Sequence, residues 1–221
     1  MGGVNPETLD IANNLLQIAI VACAAAWSAR RAALRREAAF ALLAGALGCF
    51  LLGDVFYALH LWLAGDIPIV FSAADLSYLG FYAFLIAICL ERLHGMGAGQ
   101  RRGAKRRRIA ALAAPAAVVL FHIAYIAIYP DILFNNLIFC ALISTLAYFS
   151  LWLFLASGPG AESPRHPMRA FYGAVLAYLL VELAMYLVSS LGLYWPGIAL
   201  DFALTLFYPL LARALKKGVG A

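Results

Sequence analysis

Four carboxylates stand inside long apolar runs: Asp54, Asp75, Glu182 and Asp201. Placing such a group at the centre of a membrane helix costs about 2.5–3.5 kcal/mol on insertion scales, so a retained one faces a bundle interior or a wet cavity and pairs, binds or relays there. No lysine or arginine stands near enough along those runs to pair with them. The same runs carry Asn13, Asn14, Gln17, Asn135, Asn136, His60 and His122. The direct chemistry of this set is recognition of cations, amines and hydrogen-bond donors. Its second chemistry is acid–base activation of water by Asp54 and Glu182. Two in-run histidines are too few for a three-histidine zinc site, and no metal is assigned. The last run has no central lysine for a Schiff base. There is no glycine-rich phosphate loop, no His-Glu-x-x-His and no serine elbow, so no cofactor is expected.

Each residue also has a plainer reading. Asp75 and Asp201 open their runs and suit a helix N-terminus. His60 sits near a run's end, as an interface residue would, and His122 suits an interhelical hydrogen bond. The asparagines could act as interhelical glue, worth about 0.6 kcal/mol each. Asp54 and Glu182 are too deep for a capping role.

The elements that position these groups follow from composition. The 221 residues are 65% hydrophobic and 12% charged, with a mean hydropathy of +0.89. A soluble domain is about 45–50% apolar and about 25% charged. Soluble, disordered and disulfide-stapled classes are therefore excluded, and an all-α polytopic membrane protein is expected. Cys23, Cys49, Cys89 and Cys140 all lie in apolar runs and read as packing residues. The acidic start, with Glu7 and Asp10, lacks the basic region of a cleaved signal. Seven spans are expected, at about 10–29, 38–64, 69–92, 108–129, 132–156, 168–191 and 196–215, making one transmembrane domain over 1–221.

All 16 basic residues fall in the first, third and fifth connections or at the C-terminus. The positive-inside rule then puts the N-terminus outside and the C-terminus in the cytoplasm. Trp27 and Trp152 mark the inner interface, and Trp62, Tyr129, Tyr194 and Trp195 the outer one. The basic segment 92–108 reads as a topology determinant on membrane lipids, or as a docking site for a cytoplasmic output protein. Its charge does not imply nucleic acid in a chain of this class. At about 1.5 Å per residue, Asp75 and Asp201 lie roughly 8–10 Å below the outer surface, and Asp54 and Glu182 roughly 13–15 Å. Polarity is thus gathered in a cup that opens outward.

An internal repeat is visible. Asn13-Asn14 in span 1 matches Asn135-Asn136 in span 5. Leu51-Leu52-Gly53-Asp54 in span 2 matches Leu179-Leu180-Val181-Glu182 in span 6. Asp75 followed by Phe81-Tyr82 matches Asp201 followed by Phe207-Tyr208. This predicts a 3+1+3 arrangement of parallel repeats, at about 10–92 and 132–215, joined by a linker helix at about 108–129. The ridge Ala41, Gly45, Cys49, Gly53 spaces small residues by one turn, so span 2 should pack closely on a neighbour there.

The stretch Gly53-Asp54-Val55-Phe56-Tyr57, with Ser72-Ala73-Ala74-Asp75-Leu76-Ser77-Tyr78-Leu79-Gly80-Phe81-Tyr82, resembles the seven-helix membrane module found ahead of bacterial diguanylate cyclases. Glu182 with Tyr186, and Asp201, stand where that module carries acids. The resemblance implies a signal-input device in a bacterial cytoplasmic membrane. This chain carries no cyclase or kinase domain, so output would pass through a separate protein. Gly53-Asp54 and Glu182 also resemble, more weakly, the lysoplasmalogenase family of membrane hydrolases. That family usually has eight spans and an Asp where this chain has Glu182.

Four functions follow from these readings. The first is a receptor holding a small molecule in the outer cup through Asp54, Glu182, Asp75, Asp201, Asn14, Asn136, His60 and His122. The second is a proton-coupled carrier of a small solute, disfavoured by the dry inner half. The third is a lysolipid hydrolase using Asp54 and Glu182. The fourth is a subunit of a larger membrane complex.

Overall fold

The computed structural model describes residues 6–65, 71–95, 104–129, 133–157 and 168–219, with side chains in the first segment from Ile11. Eight helices cover them: α1 (Pro6–Arg35), α2 (Ala38–Ala64), α3 (Ala73–Gly95), α4 (Ala104–Ala111), α5 (Ala113–Ile128), α6 (Leu133–Ala156), α7 (Arg169–Ser190) and α8 (Tyr194–Val219). With α4 and α5 running on as one, seven segments are long and apolar enough to cross a membrane. The chain is a multi-pass membrane protein. Helices are the expected solution, because in hydrocarbon every backbone N–H and C=O must be satisfied within its own segment. Side chains facing outward are apolar, among them Leu52, Leu120, Phe134 and Leu180. Only lipid covers such a surface without penalty.

Local chemistry sets the helix ends. Gly65 closes α2 in the left-handed region (φ 75°), its N–H donating to Leu61 O at 3.0 Å. Asp75 ties the entry to α3: its Oδ2 accepts from the Ser72 N–H at 2.7 Å and from the Ser72 hydroxyl at 3.1 Å. The α4–α5 break at Leu112 precedes Pro115, which has no N–H to donate to Ala111. Arg108 lies over the Trp152 ring at 4.4 Å, and Arg107 donates to Ala156 O at 3.5 Å, so α4 is pinned to the last turn of α6.

Helix ends account for one departure from expectation. Arg30, Arg31 and Arg35 lie on the last turns of α1, and Lys105 to Arg108 lie on α4, rather than in connecting loops. Long basic side chains reach the interface from a continuing helix, so the helix need not stop where the apolar run does. Expected positions Asp10, Arg101, Arg102, Asp131 and Arg165 lie outside the described side chains.

The principal contacts run α1–α2–α3–α6–α7–α8 and return from α8 to α1, while α5 leans on α6. Spans 1–3 and 5–7, taken as two triplets of helices, meet at two seams, α1 against α8 and α3 against α6. The small-residue ridge of α2 meets α3 as its spacing requires. The Phe84 ring lies on Gly45 and the Tyr78 ring on Gly53, where an added Cβ would come within 2.9 and 2.6 Å respectively.

Buried positions recur between the triplets. Val21, Ala24 and Ser28 of α1 correspond to Ile143, Leu146 and Ser150 of α6. Leu43, Ala46 and Leu47 of α2 correspond to Phe171, Ala174 and Val175 of α7. Tyr82, Leu85, Ile88 and Cys89 of α3 correspond to Tyr208, Leu211, Ala214 and Leu215 of α8, and all are buried. In each helix pair the shift that aligns these residues also aligns Asn13 with Asn135, Asp54 with Glu182, or Asp75 with Asp201.

Candidate functional site

The polar residues assemble into two clusters, one at each seam. At the first, Asn13 of α1 donates through Nδ2 to Asp201 Oδ2 of α8. At the second, Asn135 of α6 donates through Nδ2 to Asp75 Oδ1 of α3 at 3.5 Å. Each bond joins the first helix of one triplet to the third helix of the other, with the residue types in matching places.

The deeper acids lie behind these bonds. Asp54 Oδ1 accepts from the Tyr78 hydroxyl at 2.9 Å. Glu182 Oε1 accepts from the Tyr82 hydroxyl. Gly53 is what lets Tyr78 reach its acid, since the ring lies flat against α2 where any side chain would stand. The second oxygen of each carboxylate, Asp54 Oδ2 and Glu182 Oε2, is buried and without a hydrogen-bond partner. So are Asn135 Oδ1 and Asn136 Nδ2. Buried polar atoms are normally satisfied, and orphaned ones in a native fold call for a water, an ion or a ligand.

One helical turn from Asp54 and Glu182, away from the α7–α8 connection, aromatic rings pack between the helices. Phe50 packs against Tyr208 at 4.6 Å, Tyr78 at 5.1 Å and Phe81 at 5.3 Å between centroids. Phe81 meets Tyr178 at 5.5 Å. At the end of the bundle where α7 turns into α8, a cleft of about 300 Å³ between these helices runs past Ser189, Gly197 and Ile198 to Asp201. Asp201 lies within electrostatic range of Asp54. The arrangement can accept hydrogen bonds from, and balance the charge of, a small donor entering at the cleft. Among the described residues no group of three metal-ligating side chains forms.

Not every expected residue joins a cluster. Asp75 does two jobs, with Oδ2 capping α3 and Oδ1 crossing the seam. For Asp201 the capping reading fails, because α8 begins at Tyr194 and its first turn holds no acid. His60 is half-buried and stacks on Phe56, one turn back on its own helix, at 5.9 Å. His122 is buried on α5, outside the two triplets, with Nδ1 against Val118 O of the same helix at 2.9 Å. That contact matches the plainer, structural reading, except that the bond is intrahelical. Asn136 is buried and Asn14 half-buried, yet the seam bonds belong to their neighbours Asn135 and Asn13.

The tyrosines are the partners that residue type alone left unassigned. A signal existed: Tyr78 and Tyr82 follow Asp75 by about one and two turns, and Tyr178 and Tyr186 flank Glu182 by one turn on either side, each set sharing a helix face. No protein-family model, curated protein or solved structure matches the chain.

Proposed function

We propose that this chain is a membrane receptor that binds a small cationic or hydrogen-bond-donating molecule from the outer surface, between two pseudo-symmetric helix triplets. The observation that carries the reading is the pair of buried, unpartnered carboxylate oxygens, Asp54 Oδ2 and Glu182 Oε2, one in each triplet. A cation or amine satisfies such oxygens at least cost, because it brings opposite charge and N–H donors together. The matched burial of the two triplets, and the matched Asn–Asp bonds at both seams, support a parallel 3+1+3 repeat with α4 and α5 as the linker. The one-sided placement of basic residues supports an N-terminus outside and a C-terminus in the cytoplasm. A bacterial cytoplasmic membrane is the setting that the sequence resemblance implies.

In this reading ligand binding changes how the triplets meet at their seams, and a cytoplasmic output protein reads the change at the basic segment 92–108. Lys105 and Arg106 are exposed on α4 and available to an acidic partner. The matched triplets also favour a second reading, a carrier in which they rock about the seams. The aromatic block of Phe50, Phe81, Tyr178 and Tyr208 argues for the receptor, since it fills the path to the inner side.

Native mass spectrometry of the detergent-purified chain tests the reading. A discrete small-molecule adduct on the wild type, absent from the folded Asp54→Asn, Glu182→Gln double variant, is expected. Equal adducts on both, or none on either, would overturn it. Turnover of a lysolipid that stops in Asp54→Asn would move the assignment to a hydrolase.

A further inference from the structure

The two clusters match in residue type but differ in one hydrogen bond, the tyrosine–acid bond that crosses the seam. At the second seam, Tyr82 of α3 crosses to Glu182 of α7 and bonds it. The matching pair at the first seam is Tyr208 of α8 and Asp54 of α2. Those helices touch, and Tyr208 lies within electrostatic range of Asp54. Yet the Tyr208 hydroxyl, on a residue with no exposed surface, has no hydrogen-bond partner, although the Tyr178 hydroxyl is close by, and Asp54 Oδ2 has none either. The residue types explain the difference. Aspartate is one methylene shorter than glutamate, and Asp54 is drawn by its other oxygen toward Tyr78 at 2.9 Å. In the second triplet Leu204 stands where Tyr78 would have its counterpart, and Val181 where Gly53 would.

The rings beside the gap indicate what fills it. Phe50 packs 4.6 Å from Tyr208 and 5.1 Å from Tyr78, so the two phenols within range of Asp54 share one aromatic neighbour. An ammonium group suits Asp54 and these rings, through charge pairing with the carboxylate and attraction to ring faces. The α7–α8 cleft leads to Asp201 beside this seam rather than to the second one.

Resting on the receptor reading above, we infer that the first seam alone is the binding site. One small organic ammonium ion donates N–H to Asp54 Oδ2 and the Tyr208 hydroxyl, while at the second seam the Tyr82 hydroxyl is already taken by Glu182, leaving Glu182 Oε2 without a phenol to share a ligand with. The site is asymmetric because one acid is Asp and the other Glu.

Equilibrium binding of radiolabelled methylammonium to the full chain in lipid nanodiscs tests this. Wild type should bind one equivalent. Asp54→Glu should lose binding, because the longer acid reaches Tyr208 and copies the Tyr82–Glu182 bond; its melting temperature should be retained, which separates site closure from misfolding. Tyr208→Phe should weaken binding about tenfold, the scale of one lost hydrogen bond. Glu182→Asp should add a second, weaker equivalent. Unchanged binding in Asp54→Glu, with loss in Glu182→Gln, would overturn the asymmetric site and leave the broader receptor reading standing. No saturable methylammonium binding to the wild type, with water alone at Asp54, would overturn the ammonium assignment, while an uncharged adduct in native mass spectrometry would still keep the receptor reading.

Discussion

Gly53→Ala is the most informative single perturbation of the structure. Its Cβ would lie 2.6 Å from Tyr78 Cε1 and 2.9 Å from both Cδ1 and Cζ, where 3.4 Å begins ordinary contact. The ring must therefore retreat by about 0.8 Å or more. If the hydroxyl follows, its 2.9 Å bond to Asp54 stretches to roughly 3.7 Å, past the limit of a hydrogen bond. Overpacking of this kind costs about 1–3 kcal/mol, and a lost bond to a carboxylate about 1.5–3 kcal/mol. Allowing for repacking, about 2–4 kcal/mol of destabilisation is expected, which in a chain of this size corresponds to roughly 5–15 °C in melting temperature. Gly48→Ala is the control, because no atom lies within 4 Å of its added Cβ. Thermal denaturation in one detergent, followed by tryptophan fluorescence, compares the two. The double substitution Gly53→Ala, Tyr78→Phe should fall well short of the sum of the singles, since both remove the same hydrogen bond. A Gly53→Ala protein as stable as Gly48→Ala, or strict additivity with Tyr78→Phe, would refute the reasoning.

Other outcomes follow from the same geometry. Asn13→Ala and Asn135→Ala should each destabilise by about 0.6 kcal/mol, and the effects should add because the bonds lie at separate seams; chemical denaturation measures both. Arg108→Ala removes the cation–π contact with Trp152 and should cost about 0.5–1 kcal/mol, with faster limited proteolysis around α4 as the readout. His122→Phe should leave methylammonium binding within about twofold, because the ring lies outside the triplets and its bond is to its own helix; a tenfold loss would place it in the site. A reporter fused at the C-terminus should be active only in the cytoplasm.

Much of this architecture was legible in the residues. Run lengths located all seven spans, because a bilayer demands about 20 apolar residues per crossing. The ridge Ala41, Gly45, Cys49, Gly53 announced a close approach, and Phe84 and Tyr78 of α3 make it. Span ends were less legible, since α1 continues through Arg30, Arg31 and Arg35 until Arg36 turns the chain at φ 54°. Hydrophobicity marks where lipid ends, whereas the backbone marks where the helix ends.

In the site, residue type identified the acids but not their rotation. Asn13 and Asn14 point about 100° apart on a helix of 3.6 residues per turn, so choosing between them required the neighbouring helix. The same ambiguity hid Asn135 behind Asn136. Asp201 resembles a first-turn residue when the run is read from 196, while α8 starts at Tyr194 and places it in the second turn. The difference between the seams was beyond reach of the sequence, since the consequence of Asp against Glu depends on where Tyr78, Tyr82 and Tyr208 stand.

The central claim is that the buried acids are reached from the outer surface and not from the inner one. Ile198, which lines the cleft to Asp201, offers the most direct measurement: Ile198→Cys in a chain whose own four cysteines are replaced, labelled in sealed vesicles by a membrane-impermeant cationic thiol reagent. Labelling of right-side-out vesicles, slowed by methylammonium, and none in inverted vesicles is the expected result. Labelling confined to inverted vesicles, or labelling from outside that methylammonium leaves unchanged at concentrations that saturate binding, would contradict the account.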